Sequence, residues 1–325
     1  MDASSSLADV AAIDPADVDG LVDHLPLGSR LFTTGSDRSA GKAESSPGRL
    51  DSFHHYLDRG GLHGSREHPR ALEARSRYFK TSPLVVSTLR EEQLARGAAL
   101  LLGTDDVIRT VLRVNILIPG QELAVHTDVA QFDGLAPRVP EWLRVVMHWS
   151  GLFEEHRVRV INAIALGKAC VGGDLLAWLD GPAEEPTIMP ALPGRAVLFD
   201  SDSTFHGVTR VGPDFRSCTA AKVRTGHSLE RVSRDEWELK DADQSILQTV
   251  AHDELRITIM WKARAPLPLV REPISLQQIL ERIRADLQTS HSLTPNQQAI
   301  LADFARVCAD AYVPLPVWKP RPFSS

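Results

Sequence analysis

Hydrophobic positions change their period twice along this chain. Between residues 83 and 102, Leu84, Val85, Leu89, Leu94, Ala98, Leu101 and Leu102 recur at roughly the spacing of one helical face. Ser82-Pro83 supplies a start for that helix and Gly103 a stop. After Gly103 the apolar residues gather into short runs rich in Val, Ile and Leu, each bounded by Gly, Pro or Asp. These are Val111–Ile118, Glu122–His126, Leu143–Trp149, Val158–Leu166, Asp174–Leu179, Ala196–Phe199, His206–Val211 and Leu255–Trp261. Many short strands separated by turn residues predict an antiparallel sandwich or barrel. After Pro273 the helical period returns, with Leu276, Ile279, Leu280, Ile283 and Leu287 on one helix and Ile300, Leu301, Phe304 and Val307 on a second. Ser, Gly, Asp and Pro cluster within residues 1–50, which predicts a loop-rich start. The outline is a mainly β core with flanking helices. Residues 1–103 form a loop-rich and helical region, 104–265 the core, and 266–325 a helical pair.

Composition narrows the function more than the fold. A net charge of −6 leaves no electrostatic footprint for nucleic acid. No stretch approaches the roughly 18 apolar residues that a membrane span needs. Six aspartates precede the first Lys or Arg, Arg30, which fits neither a secretory nor a mitochondrial leader. Cys170, Cys218 and Cys308 lie far apart and in no metal or redox spacing, as expected of thiols in a reducing compartment. A cytoplasmic protein, monomer or homodimer, is the expectation.

The candidate chemistry begins at His126-Thr127-Asp128, at the end of a predicted strand. Strand residues two apart share a face, so an imidazole and a carboxylate here can converge on one divalent ion. The pair alone is a weak signal. It gains weight from Phe205-His206-Gly207-Val208, which follows a turn, Pro193-Gly194-Arg195, and a buried run. Two histidines and one carboxylate on a β scaffold are the donor set of a facial triad, which leaves three metal positions open. A closed structural site would add a fourth protein ligand.

The stretch from Asn115 to Trp261 resembles the 2-oxoglutarate/Fe(II) dioxygenase superfamily, nearest to its prolyl-hydroxylase-like branch. The matching pieces stand in the family's order. They are Asn115 through Gly120 to His126-x-Asp128, then Gly172-Gly173-Asp174-Leu175-Leu176, Pro193-Gly194-Arg195, His206-Gly207-Val208, and Arg256-Ile257-Thr258-Ile259-Met260-Trp261. The likeness covers about half the chain. It implies a double-stranded β-helix of the jelly-roll or cupin-like kind, with His126, Asp128 and His206 as iron ligands. It further implies 2-oxoglutarate as co-substrate, anchored by Arg256 with help from Thr258 and Asn115. O₂ would then oxidise an unactivated C–H of a small molecule by hydroxylation, desaturation or ring closure, with succinate and CO₂ as co-products. Related halogenases carry Gly or Ala where this chain has Asp128, so the resemblance argues against halogenation.

One spacing departs from the family. The anchoring arginine usually follows the distal histidine by about ten residues, whereas Arg256 stands 50 positions after His206 and Arg216 stands 10 after it. Both placements remain open. With Arg256 as anchor, residues 213–254 are an insertion carrying a helix near Asp235–Val250, placed where it could cover the open end of the core.

Most of the 12 histidines have plain readings. His54, His55, His63 and His68 sit in a polar stretch and read as solvated, although His55 or His68 could reach a substrate. His148, in the expected strand Leu143–Trp149, reads as a core histidine or a co-substrate contact. Arg144 could hold a substrate carboxylate or cover a sheet edge, and Trp142 and Trp149 read as packing residues. Two rival functions stay in view: a cupin-type metal-dependent dioxygenase or isomerase that uses no 2-oxo acid, and a binding protein on the same fold.

Overall fold

The computed structural model describes residues 7–14, 17, 30–33, 72–74, 89–135, 139, 141–168, 170–189, 192–212, 227–267, 273–290, 295 and 304–312. Strands β1 (Leu7–Ala11), β2 (Arg30–Thr33) and β3 (Leu72–Ala74) precede helix α1 (Glu91–Leu102). The core follows as β4 (Ile108–Leu117), β5 (Leu123–His126), β6 (Gln131–Phe132), helix α2 (Glu141–Ser150), β7 (Arg157–Val158), β8 (Val160–Leu166), β9 (Leu175–Trp178), β10 (Thr187–Met189), β11 (Arg195–Asp200) and β12 (Phe205–Val208). It continues through β13 (Ser228–Arg231), β14 (Glu236–Lys240), β15 (Ile246–Ala251) and β16 (Arg256–Arg264) to helices α3 (Leu276–Ser290) and α4 (Phe304–Tyr312).

The strands form a ten-stranded sheet ordered β1-β11-β8-β16-β4-β3-β2-β13-β14-β15 and a four-stranded sheet ordered β10-β9-β12-β5. From β4 onward the chain passes between them: β4 in the larger, β5 in the smaller, β8 in the larger, β9 and β10 in the smaller, β11 in the larger, β12 in the smaller and β16 in the larger. With every pairing antiparallel, this winding is the double-stranded β-helix. Leu117, Ile164, Val197 and Phe199 of the larger sheet meet Leu175, Ala177, Met189 and Val208 of the smaller one in a single apolar cluster. The other face of the larger sheet, including Leu112, Val114, Ile257 and Ile259, is covered by α1 through Leu94 and Ala98. In β16 the residues on that covered face, Ile257, Ile259 and Trp261, alternate with Arg256, Thr258, Met260 and Lys262 on the other.

Four expectations need correction. The run Leu143–Trp149 is helical, not extended. Leu143, Val146 and Met147 recur at helical spacing and are buried in one cluster with Ile279 and Ile283 of α3 and Val307 of α4. The stretch Asp235–Val250 is a hairpin rather than a helix. Trp237 and Leu239 alternate inward along β14, and Gln244 turns the chain with φ +69°. The described part of the insertion thus extends the larger sheet, with β13 pairing to β2. Part of the segment expected to be loop-rich is strand, because Leu7–Ala11 pairs along β11. Finally, α1 begins at Glu91, since Leu89 is held out of the helix by a bridge to Ile13. Ser82-Pro83, the expected start, lies outside the described residues. Gly103 does end the helix, in the left-handed conformation with φ +68° and its N–H donated to Ala99 O. No helix among the described residues is long and apolar enough to cross a membrane.

Candidate metal centre

His126 closes β5 and His206 is the second residue of β12, and antiparallel pairing makes the two register partners. Their rings lie 4.4 Å apart, centroid to centroid. The register shifts between His206 and Val208. Gly207 permits the close approach there, because a Cβ on it would stand 2.9 Å from Leu123 O. Asp128 lies beyond the strand end, so strand alternation is not what brings it in. Its backbone N–H donates to Ser201 O at 2.8 Å, which ties the segment to the turn between β11 and β12. One ligand atom from each of His126, Asp128 and His206 falls within 4.8 Å of the others.

Each donor is set up by its neighbours. The His206 ring donates Nδ1–H to Thr204 O at 2.9 Å, so Nε2 carries the free lone pair. Burial, reinforced by His126, pushes the His206 imidazole down to about 3, and the ring stays neutral as a metal ligand must. Burial works against ionisation of Asp128, but Lys262, His206 and His126 outweigh it and hold the carboxyl well below the usual range. Asp128 Oδ2 accepts from Lys262 Nζ at 2.6 Å and from Asn162 Nδ2 at 3.3 Å. That leaves Oδ1 for an ion. Two imidazole nitrogens and one carboxylate oxygen suit a divalent ion of the iron group.

Lys262 and Asn162 were not singled out by the sequence reading. They are register partners on β16 and β8. The missed signal is period two: Arg256, Thr258, Met260 and Lys262 share one face of β16. The same face holds the expected co-substrate residues. Arg256 pairs with Leu117 and Thr258 with Asn115 across β16 and β4. Arg256 is 5% exposed and donates Nε–H to Gly173 O at 2.7 Å. Burial lowers its guanidinium to about 10, against the pull of Cys170 and Asp174. It has no carboxylate within ion-pair distance among the described residues, which leaves the outer edge of its fork for an anion. Thr258 Oγ donates to Asn115 O at 3.4 Å, and Asn115 Oδ1 is buried without a hydrogen-bond partner among the described residues.

The other singled-out residues fall elsewhere or outside the described set. His148, on α2, sits 3.3 Å through Nε2 from Ser203 Oγ, in a network where Arg157 binds Asp200 and Ser203. Burial and Arg157 push its ring down to about 4. Trp149 stacks on Phe205 at 5.4 Å, a packing role. Arg144 lines the pocket beside Asp128. Arg216, Cys218, His54, His55, His63 and His68 lie outside the described residues.

Asp202 is a buried carboxyl next to this centre. Burial first, then the charge of Asp128, pushes it up to about 8, from 3.8. Between these values the folded chain keeps a proton that the unfolded chain has released, so this group costs stability as pH rises from about 4 to 8. In metal-free protein, Asp202→Asn is expected to remove that slope. Thermal melts across the range check it, and parallel curves for variant and wild type would contradict it.

No protein-family model matches the chain, and no curated protein sequence does. Solved structures resemble it at low identity. A prolyl hydroxylase from Trichoplax adhaerens, in complex with a hypoxia inducible factor oxygen degradation domain peptide, is 11% identical. That match covers 80% of this chain and 84% of the other, with a TM-score of 0.40. A prolyl-4-hydroxylase from Pseudomonas putida is 13% identical over 80% of this chain and 93% of its own, with a TM-score of 0.37. HygX from Streptomyces hygroscopicus, with nickel, 2-oxoglutarate and hygromycin B bound, is 10% identical over 81% and 84%, with a TM-score of 0.38. Superpositions this loose do not place the chain in a family, and the geometry of the site carries the functional reading.

Proposed function

We propose that this protein is an Fe(II)- and 2-oxoglutarate-dependent oxygenase that oxidises an unactivated C–H of a small molecule. The observation that carries the reading is the inner face of β16. At one end Lys262 touches the metal-ligand candidate Asp128, and six residues away on the same face Arg256 stands buried without a counter-carboxylate among the described residues. A candidate metal site and a candidate anion site thus stand on one face of the same strand. A 2-oxo dicarboxylate has a chelating end for the first and a distal carboxylate for the second.

Bound Fe(II) and 2-oxoglutarate would supply O₂ activation, with release of succinate and CO₂ and oxidation of the substrate. The chain's own residues do the positioning. Thr204 O fixes the His206 tautomer, Lys262 and Asn162 hold Asp128 Oδ2, and Arg256 offers a planar fork that stays charged. Asp128 in place of a small residue favours hydroxylation, desaturation or cyclisation over halogenation. The catalytic unit we infer is the core of residues 104–265, flanked by the N-terminal region and the C-terminal helices, in a cytoplasmic protein.

The test is direct. Anaerobic protein given Fe(II), 2-oxoglutarate and candidate substrates is expected to form succinate once O₂ is admitted. Absence of succinate with every substrate, or turnover that survives His126→Ala, would sink the proposal. Gly173→Ala probes the anchor without removing a charge. Gly173 has φ +73°, and a Cβ there would meet Arg256 Cδ at 2.7 Å, so the arginine must shift. The 2-oxoglutarate KM is expected to rise about tenfold, on the scale of one hydrogen bond to a charged group. An unmoved KM would separate Arg256 from the co-substrate.

A further inference from the structure

Two of the three metal-ligand candidates are held by one turn, residues 201–204, which links β11 to β12. Ser201 O accepts from the Asp128 backbone N–H at 2.8 Å, and Thr204 O accepts from His206 Nδ1 at 2.9 Å. The shape of the turn is therefore part of the metal centre. Asp200 builds that shape. Its Oδ1 accepts from the backbone N–H groups of Asp202 at 3.2 Å and Ser203 at 3.3 Å, and its carbonyl oxygen from Thr204 N–H at 3.0 Å. Arg157 takes the remaining carboxylate oxygen. Its Nη2 donates to Asp200 Oδ2 at 2.8 Å and to Ser203 Oγ at 2.7 Å, so one nitrogen bridges the two sides of the turn.

Arg157 also meets the Asp128 segment from the other direction. It lies on β7, where its register partner is Phe132 of β6, the strand that follows Asp128. Beside that pair, Asp133 N–H donates to His156 O at 2.8 Å. The backbone around Arg157 thus holds the chain leaving Asp128, while its side chain holds the turn that Asp128 binds. The Arg157 side chain is 10% exposed and that of Asp200 18%, so this charge-assisted contact is largely shielded from water. Glu154, the other acid on Arg157, is 3.4 Å away and 60% exposed, a weaker partner. His148 of α2 approaches Ser203 Oγ at 3.3 Å from the helical layer.

We propose that Arg157 is a positioning residue of the metal centre, which fixes the turn that orients His206 and places Asp128. This rests on the reading of His126, Asp128 and His206 as metal ligands, and on no particular substrate. Groups that orient metal ligands without touching the ion typically govern affinity by about tenfold to a hundredfold.

The experiment uses full-length protein stripped of metal and titrated with Co(II) alone. Affinity is read by calorimetry, and ligand geometry by the visible spectrum of the saturated protein. Arg157→Met is expected to weaken Co(II) about tenfold and to change that spectrum, because Asp128 and His206 no longer converge as before. Arg157→Lys keeps a cation that can bridge Asp200 and Ser203, so it should restore most of the affinity and the wild-type spectrum. Asp200→Asn keeps an oxygen for the turn and removes the charge that Arg157 binds. It should act in the same direction as Arg157→Met, and it decides the matter if Arg157→Met does not fold. A role in fold stability alone would lower the melting temperature and leave the saturated spectrum unmoved. The proposal is overturned if the folded variants keep the wild-type spectrum at saturation, or if they bind Co(II) within about twofold of wild type. It is equally overturned if Arg157→Lys binds no better than the variants that lose the contact. His206→Ala is the control for the centre itself. Wild type that binds Co(II) no better than His206→Ala would overturn the metal-ligand reading, and the role of Arg157 with it. Wild type that binds well, with the Arg157 and Asp200 variants unchanged, would overturn the role of Arg157 alone.

Discussion

Replacing His206 with alanine is expected to abolish iron retention and to lower succinate formation by at least about a thousandfold. His206 is 3% exposed, its Nδ1–H is committed to Thr204 O, and burial keeps its ring neutral. It has the protonation state and tautomer of a ligand and no other visible task for Nε2. Without it, His126 and Asp128 remain as two donors, too few to hold an ion against water. The measurement is iron per chain after dialysis, alongside succinate by mass spectrometry. Far-ultraviolet circular dichroism should show the barrel intact, because β12 keeps its pairing on both sides. A variant that retains one iron per chain, or turns over within tenfold of wild type, would remove His206 from the metal site.

The second large effect is expected at the other end of β16. Arg256→Gln keeps most of the side chain's volume and removes its charge. Truncating one partner of a buried, hydrogen-bonded charge pair costs about 2–5 kcal/mol. The 2-oxoglutarate KM is therefore expected to rise about a hundredfold, with iron affinity unchanged, since Arg256 makes no contact with the three donors. This variant also separates the two enzymatic readings. A cupin-type enzyme that uses no 2-oxo acid would lose stability and show no selective effect on a 2-oxo acid. An unmoved KM would send the anchor elsewhere, with Arg216 the next residue to test.

Much of this architecture was legible in local pattern. In Ile108–Leu117 and Arg256–Arg264 the runs of Val, Ile and Leu announce the strand. The misreadings have physical causes. Leu143–Trp149 contains Val145-Val146, which favour strands, yet α3 and α4 offer a surface that buries a helical face. Packing overrides propensity there. In Glu236–Lys240 the alternation of Trp237 and Leu239 belongs to a strand, against the helix expected near Asp235–Val250.

At the site, the sequence by itself determined the kinds of donor and their local spacing: His126-x-Asp128, His206 before a small residue, and Arg256-x-Thr258. It did not determine that His126 and His206, 80 residues apart, become register partners, since register depends on which strands pair across the whole fold. Nor did it reveal Lys262 and Asn162 on Asp128 Oδ2, or a pocket whose cations come from β4, α2 and β16. Those contacts join segments far apart in the chain and exist only once both sheets close. Local pattern states what each segment can offer. The long-range pairing of buried strands decides which offers meet.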